Sequence, residues 1–116
     1  MAPWNIVYLH THDSGRYWSP YGHALPTPRI HAFARESTLF RQCYSAAPTC
    51  SPSRAAMLTG MSAHACGMTG LAHRGFRLDD YDRHLVRFLE RSGWKTALCG
   101  IQHEAPEAGS IGYGEI

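Results

Sequence analysis

Asn5-Ile6-Val7-Tyr8-Leu9-His10 is a short apolar run with β-branched and aromatic residues, closed by a polar, Gly-containing loop at Thr11-His12-Asp13-Ser14-Gly15. That pattern predicts a buried strand. Pro20, Gly22, Pro26 and Pro28 make the next stretch irregular. Thr27-Pro28 reads as an N-cap and first helical residue, with Ile30, Phe33 and Ala34 following on one face. Leu39 to Tyr44 reads as a second strand. Ala46 to Arg54 is a loop running into a helix, with Ser51 as the expected cap and Pro52 in first position, ending near Gly60. His64 to Gly75 is Gly-rich and loop-like. Asp80 to Ser92 shows the strongest helical pattern, with Leu85, Phe88 and Leu89 as its apolar stripe and Gly93 as C-cap. Lys95 to Gly100 is a third strand, and the tail from Ala108 to Ile116 shows no packing pattern. Helices alternating with buried strands predict an α/β fold, a largely parallel sheet flanked by helices. Ligands bind such sheets beyond the carboxyl ends of the strands. His12, Asp13 and His103 fall just past strand ends, and Cys50 falls at a helix start.

Composition narrows the class. The chain has 116 residues, enough for one domain or part of one. Its hydrophobic fraction of 44% argues against disorder throughout. A formal charge of +2, with no Lys/Arg run, gives no reason to expect nucleic acid. No apolar stretch is long enough to span a membrane. The N-terminal residues carry neither a basic nor an apolar leader pattern, so the default expectation is a cytoplasmic chain. Cys43, Cys50, Cys66 and Cys99 are too irregularly spaced for a zinc knuckle and read singly as small apolar side chains. Eight His is a high count, and His is both a metal ligand and an acid/base residue. His31 and His84 are expected on helices, partly exposed. His10, His23, His64 and His73 read as structural or solvated residues, and Trp18 as a packing residue that could line a substrate mouth.

Cys50-Ser51-Pro52-Ser53-Arg54 is the sharpest chemical signal. It sets a thiol at a helix start, where free N–H groups attract anions, with a guanidinium one turn on. This suits a tetrahedral oxyanion such as sulfate or phosphate. On spacing alone, a loop Cys beside a surface Arg is an equal reading. His10-Thr11-His12 after a strand also fits a pair of zinc ligands, as in amidohydrolases, although that leaves the Cys50 segment unexplained.

Cys50-Ser-Pro-Ser-Arg54-Ala-Ala-Met-Leu-Thr59-Gly60 resembles the C-x-P-x-R-x-x-x-L-T-G signature of type I sulfatases, formylglycine-dependent members of the alkaline phosphatase superfamily. Asn5 to Gly15 is similar to that family's first strand and metal loop, and Thr27-Pro28-Arg29-Ile30 to its T-P-N-[IL] helix start. Phe40 to Ser45 is similar to its second strand, and Gly93 to Gly100 to the strand before its Lys/His pair. Ser14-Gly15-Arg16-Tyr17 and Gly67-Met68-Thr69-Gly70-Leu71 resemble the heparan N-sulfatase (sulfamidase)-like group. The resemblance implies that residues 1–116 are the N-terminal portion of an alkaline-phosphatase-like sulfatase domain, whose later part carries further metal ligands and substrate contacts.

It further implies a sulfuric ester or sulfamate hydrolase. Cys50 would be converted to formylglycine by a formylglycine-generating enzyme. One hydroxyl of the hydrated aldehyde attacks sulfur, the alcohol leaves, and the second hydroxyl drives loss of sulfate. The partner would be a sulfated small molecule or glycan, and the cofactor a divalent metal, usually calcium. By match to the motifs, Cys50, Arg54 and His103 are the catalytic candidates. Asp13, His12 and the Cys50 position are the metal candidates. His12 stands where the family has Asp, and Ile101 where it has Lys. A phosphonate or phosphate ester hydrolase with the same motif is the nearest alternative. The other is a non-catalytic fragment that associates through an exposed sheet edge.

Overall fold

The computed structural model describes residues 4–116. They form three α-helices: α1 (Pro28–Arg35), α2 (Cys50–Thr59) and α3 (Leu85–Arg91). Four single 3-10 turns accompany them, at Ser19–Tyr21, Ala72–Arg74, Tyr81–Arg83 and Ala108–Ser110. The chain divides into two compact units, Met1–Cys43 and Tyr44–Ile116.

In the first unit, Thr27 caps α1 and Pro28 opens it, as the sequence predicts. The Thr27 hydroxyl is turned elsewhere, however. It accepts from the Ser19 N–H at 3.0 Å and bonds the Ser19 hydroxyl at 2.9 Å, tying the 3-10 turn to the helix start. The α1 stripe is not packed away. Ile30, Phe33 and Ala34 line an open cavity of about 290 Å³ with Trp18, Tyr21 and Leu39.

In the second unit the core has two clusters. Ala55, Cys66, Met68 and Leu78 form one; Val86, Ala105 and Ile111 form the other, and Tyr81 packs against both. The tail therefore does pack, contrary to the sequence reading: Ile111 is fully buried. The expected Asp80–Ser92 helix is divided. Asp80 caps a 3-10 turn by accepting from the Asp82 N–H, and His84, in extended geometry, caps α3 by accepting from the Val86 N–H. Two competing caps four residues apart break one helix into two. The buried face of α3 is Val86, while Leu85 and Phe88 are exposed. Gly93, at φ +83°, closes the helix as expected, with the Trp94 N–H bonded to the Leu89 carbonyl.

No strand forms among the described residues; the expected largely parallel sheet is reduced to one parallel bridge, Ala97 to Glu115. The reason is physical. A strand exists only by pairing, and the apolar runs at 5–10 and 39–44 make no ladder here. Val7 and Leu9 are each 89% exposed. In the 95–100 run, only Thr96 to Leu98 find a partner, at Glu115.

Candidate active site

The candidate site in the second unit is built on the start of α2. The helix begins at Cys50 rather than after Ser51, so Pro52 is its third residue. Proline costs nothing there, because the first-turn N–H groups have no intrahelical partner. Ser51 is not the cap. It is buried, and its hydroxyl accepts from the Ala72 N–H at 3.1 Å, bracing the helix start against the 72–74 turn. The approach loop is pinned as well: the Ser45 hydroxyl bonds the Ser53 hydroxyl at 2.7 Å and donates to the Ala47 carbonyl at 2.6 Å. Ala55 and Ala56 bury the far side of α2. Cys50 itself is half-buried, at the mouth of the helix, and carries a free thiol.

Arg54 lies one turn on. Its Nη1 donates to the Ile101 carbonyl at 3.0 Å, across 47 positions of sequence. The residue at 101 thus offers its backbone to a cation, while its own side chain is exposed. Two residues later, a His103 ring nitrogen lies within 4.8 Å of the Cys50 sulfur. The structure therefore brings Cys50, Arg54 and His103 to one locality.

The turn that carries His103 is held by groups the sequence reading did not single out. The Glu104 carboxylate accepts from the His103 N–H at 3.0 Å. The Gln102 side-chain oxygen accepts from the Glu104 and Ala105 N–H groups at 2.8 and 2.9 Å, and its amide donates to the Ala105 carbonyl at 2.9 Å. Tyr81 donates to the Glu104 carbonyl at 3.0 Å. Glu104 is 1% exposed. A buried charge is the kind of feature a sequence hides, because Glu reads as surface. Its field reaches Tyr113, whose phenol is pushed up by burial and then by Glu104, with Arg54 acting in the opposite sense.

His12 and Asp13 belong to the first unit. Asp13 adopts φ +54°, a left-handed position that Asp tolerates. Its side chain is 89% exposed, and its carboxylate lies 2.9 Å from His12 Nδ1. As donors for a divalent cation the two are unequal. The carboxylate suits calcium, whereas an imidazole suits softer metals, and calcium takes six to eight oxygen ligands. The pair by itself offers far fewer oxygen ligands than calcium requires.

The start of α2 thus sets a half-buried thiol one turn before the Arg54 guanidinium. The family model described as Sulfatase matches residues 4–113, and the chain belongs to that family. Among curated proteins, it is 37% identical over 108 residues to human N-sulphoglucosamine sulphohydrolase, covering 90% of this chain and 22% of that protein. It is 34% identical over 114 residues to human arylsulfatase D, covering 90% and 18%. An N-acetylglucosamine-6-O-sulfatase from Bacteroides thetaiotaomicron is 33% identical over 101 residues, covering 85% and 18%. The chain thus spans about a fifth of the length of these relatives. No solved structure matches it. Membership implies the alkaline-phosphatase-like α/β architecture, of which the described residues show the helices and a single bridge.

Proposed function

We propose that the chain is the N-terminal portion of a catalytic domain that hydrolyses sulfuric esters or sulfamates, with Cys50 as precursor of a formylglycine nucleophile. The observation that carries this reading is the thiol at the mouth of α2, with Arg54 one turn on and an imidazole nitrogen within 4.8 Å. Conversion by a formylglycine-generating enzyme, with dioxygen as the external oxidant, turns the Cys50 CH2–SH into CH=O and releases the sulfur as hydrogen sulfide. The hydrated aldehyde then supplies a hydroxyl nucleophile toward sulfur.

The chain's own residues do the rest of the local work. The free N–H groups of the first α2 turn face the anionic ester. Arg54 adds a fixed positive charge and, through Ile101, ties the His103 turn to the helix. His103 exchanges a proton with the group at position 50 through a ring nitrogen. By their match to the motif, Asp13 and His12 are the candidate ligands of a divalent cation, which would screen ester charge when bound. The names of the relatives point to sulfated or N-sulfated sugars as the substrate class.

Peptide mass spectrometry across Cys50, after co-expression with a generating enzyme, tests the first step; the expected product is the lighter aldehyde residue. In the enzyme that carries these residues, Cys50→Ala is expected to lower turnover of an aryl sulfate or a sulfamate by at least about 1000-fold. Turnover that persists in Cys50→Ala refutes the reading. Faster turnover of an aryl phosphate than of either sulfur ester moves it to the phosphate class.

A further inference from the structure

We propose that Glu104 is a positioning residue for His103, and that Gln102 is its backing. Together they form a clasp that fixes the imidazole against position 50. The role assigned to His103 rests on the hydrolase reading above; the clasp itself does not.

The geometry is unusual for so short a segment. The carboxylate of Glu104 turns back on the chain and takes the N–H of the residue immediately before it, at 3.0 Å. Gln102, one residue further back, closes around the same turn with three hydrogen bonds from one amide group. Outside the turn, Tyr81 holds the Glu104 carbonyl and Arg54 the Ile101 carbonyl. The backbone on both sides of His103 is thereby tied to side chains, so little freedom remains at the Cα that aims the ring. Burying a carboxylate is costly unless hydrogen bonds compensate it, and a charged acceptor holds an N–H more firmly than a neutral one. A solvent-facing Glu or a plain loop would leave the ring to wander. The burial of Glu104 is the cost of preventing that.

The test uses nuclear Overhauser contacts and amide exchange on the 116-residue chain, which need no turnover. In the parent chain the Cys50 β-protons should show a contact to the His103 ring protons, and the His103 amide should exchange slowly. Glu104→Ala should erase that contact and speed exchange of the His103 amide by about 10- to 100-fold, the worth of one charge-assisted bond. Glu104→Gln keeps an acceptor oxygen and should restore the contact, with exchange in between. Met68 and Ile111 methyl signals report whether the core is intact. Should Glu104→Ala lose the core, Gln102→Ala decides the matter by the same two readouts. An unchanged ring contact in whichever folded variant is read overturns the clasp.

In an active enzyme carrying these residues, Glu104→Ala should lower kcat by tenfold or more with KM within about twofold, and Glu104→Gln should recover part of it. A clasp seen by magnetic resonance together with an unchanged kcat overturns the role of His103 in the reaction and leaves the clasp standing.

Discussion

Acidification should destabilise the second unit through one imidazole. His84 is fully buried at the start of α3, the one buried His among the described residues. Its Nδ1 accepts from the Val86 N–H at 3.2 Å, so the proton of the neutral ring sits on Nε2, which is buried without a hydrogen-bond partner. A proton added at Nδ1 would remove the cap of α3 and place a charge in a fully buried position near Arg87. Burial first, and the Arg87 guanidinium second, lower its pKa from 6.5 to about 4. Tyr113 stands edge-on to the ring and supplies no charge of its own at these pH values.

Because the folded-state pKa is depressed, the unfolded chain binds more protons between pH 6.5 and about 4. The stabilisation is fully present above pH 6.5, falls as pH drops through that window, and levels off below about 4. A shift of this size is worth about 3 kcal/mol at most. Against a domain stability of ~5–15 kcal/mol that is a large share. Urea melts of the parent chain at half-unit pH steps should show the decline. His84→Asn keeps a side-chain oxygen for the Val86 N–H and does not titrate, so its profile should be flatter by that amount. Parallel profiles for the two proteins would refute the argument.

Two further perturbations test the frame around the site. Ser51→Ala strips the buried acceptor from the Ala72 N–H and should cost about 1–3 kcal/mol by chemical denaturation, with α2 helicity retained. Gly112 sits at φ +94°, and a Cβ there would lie 2.2 Å from Arg87 Cζ. Gly112→Ala should therefore destabilise by about 1–3 kcal/mol in the same melt. A neutral result would refute both the backbone strain at position 112 and the clash with Arg87.

What the sequence reveals and what it hides divide along one physical line. Helix starts are local, and Thr27-Pro28 and the Cys50 segment show them directly. Their fine structure is less visible. Nothing in the order Ser51-Pro52 shows that the hydroxyl will turn to Ala72, 21 positions away, instead of capping its own helix. The break at His84 is hidden for a similar reason, since charge and apolar spacing run smoothly through a residue whose side chain happens to cap. Strands are the extreme case. Ile6 to Leu9 has the composition of a strand, yet pairing is a property of two segments, and the run joins no ladder among the described residues. Of the candidate site, Cys50, Arg54 and His103 are legible through their motifs, while Glu104 is not, because a buried carboxylate contradicts what its residue type suggests.

Among the described residues the thiol and imidazole stand together where only one sheet bridge forms, so contacts other than a sheet hold the pair. In an α/β protein the loops beyond the strand ends are ordinarily aimed by the sheet beneath them. Here Arg54 reaches Ile101, Tyr81 reaches Glu104 and Ser51 reaches Ala72, each a side chain gripping backbone more than 20 positions distant. Ala55, at the back of α2, is sealed into the Met68 cluster, and Tyr81 joins that cluster to the one formed by Val86, Ala105 and Ile111. The placement of His103 beside Cys50 is thus secured by core packing and by side-chain to backbone bonds. Those bonds survive or fail with individual residues rather than with the sheet, which is why single substitutions at Ser51, Gln102 and Glu104 are the informative ones.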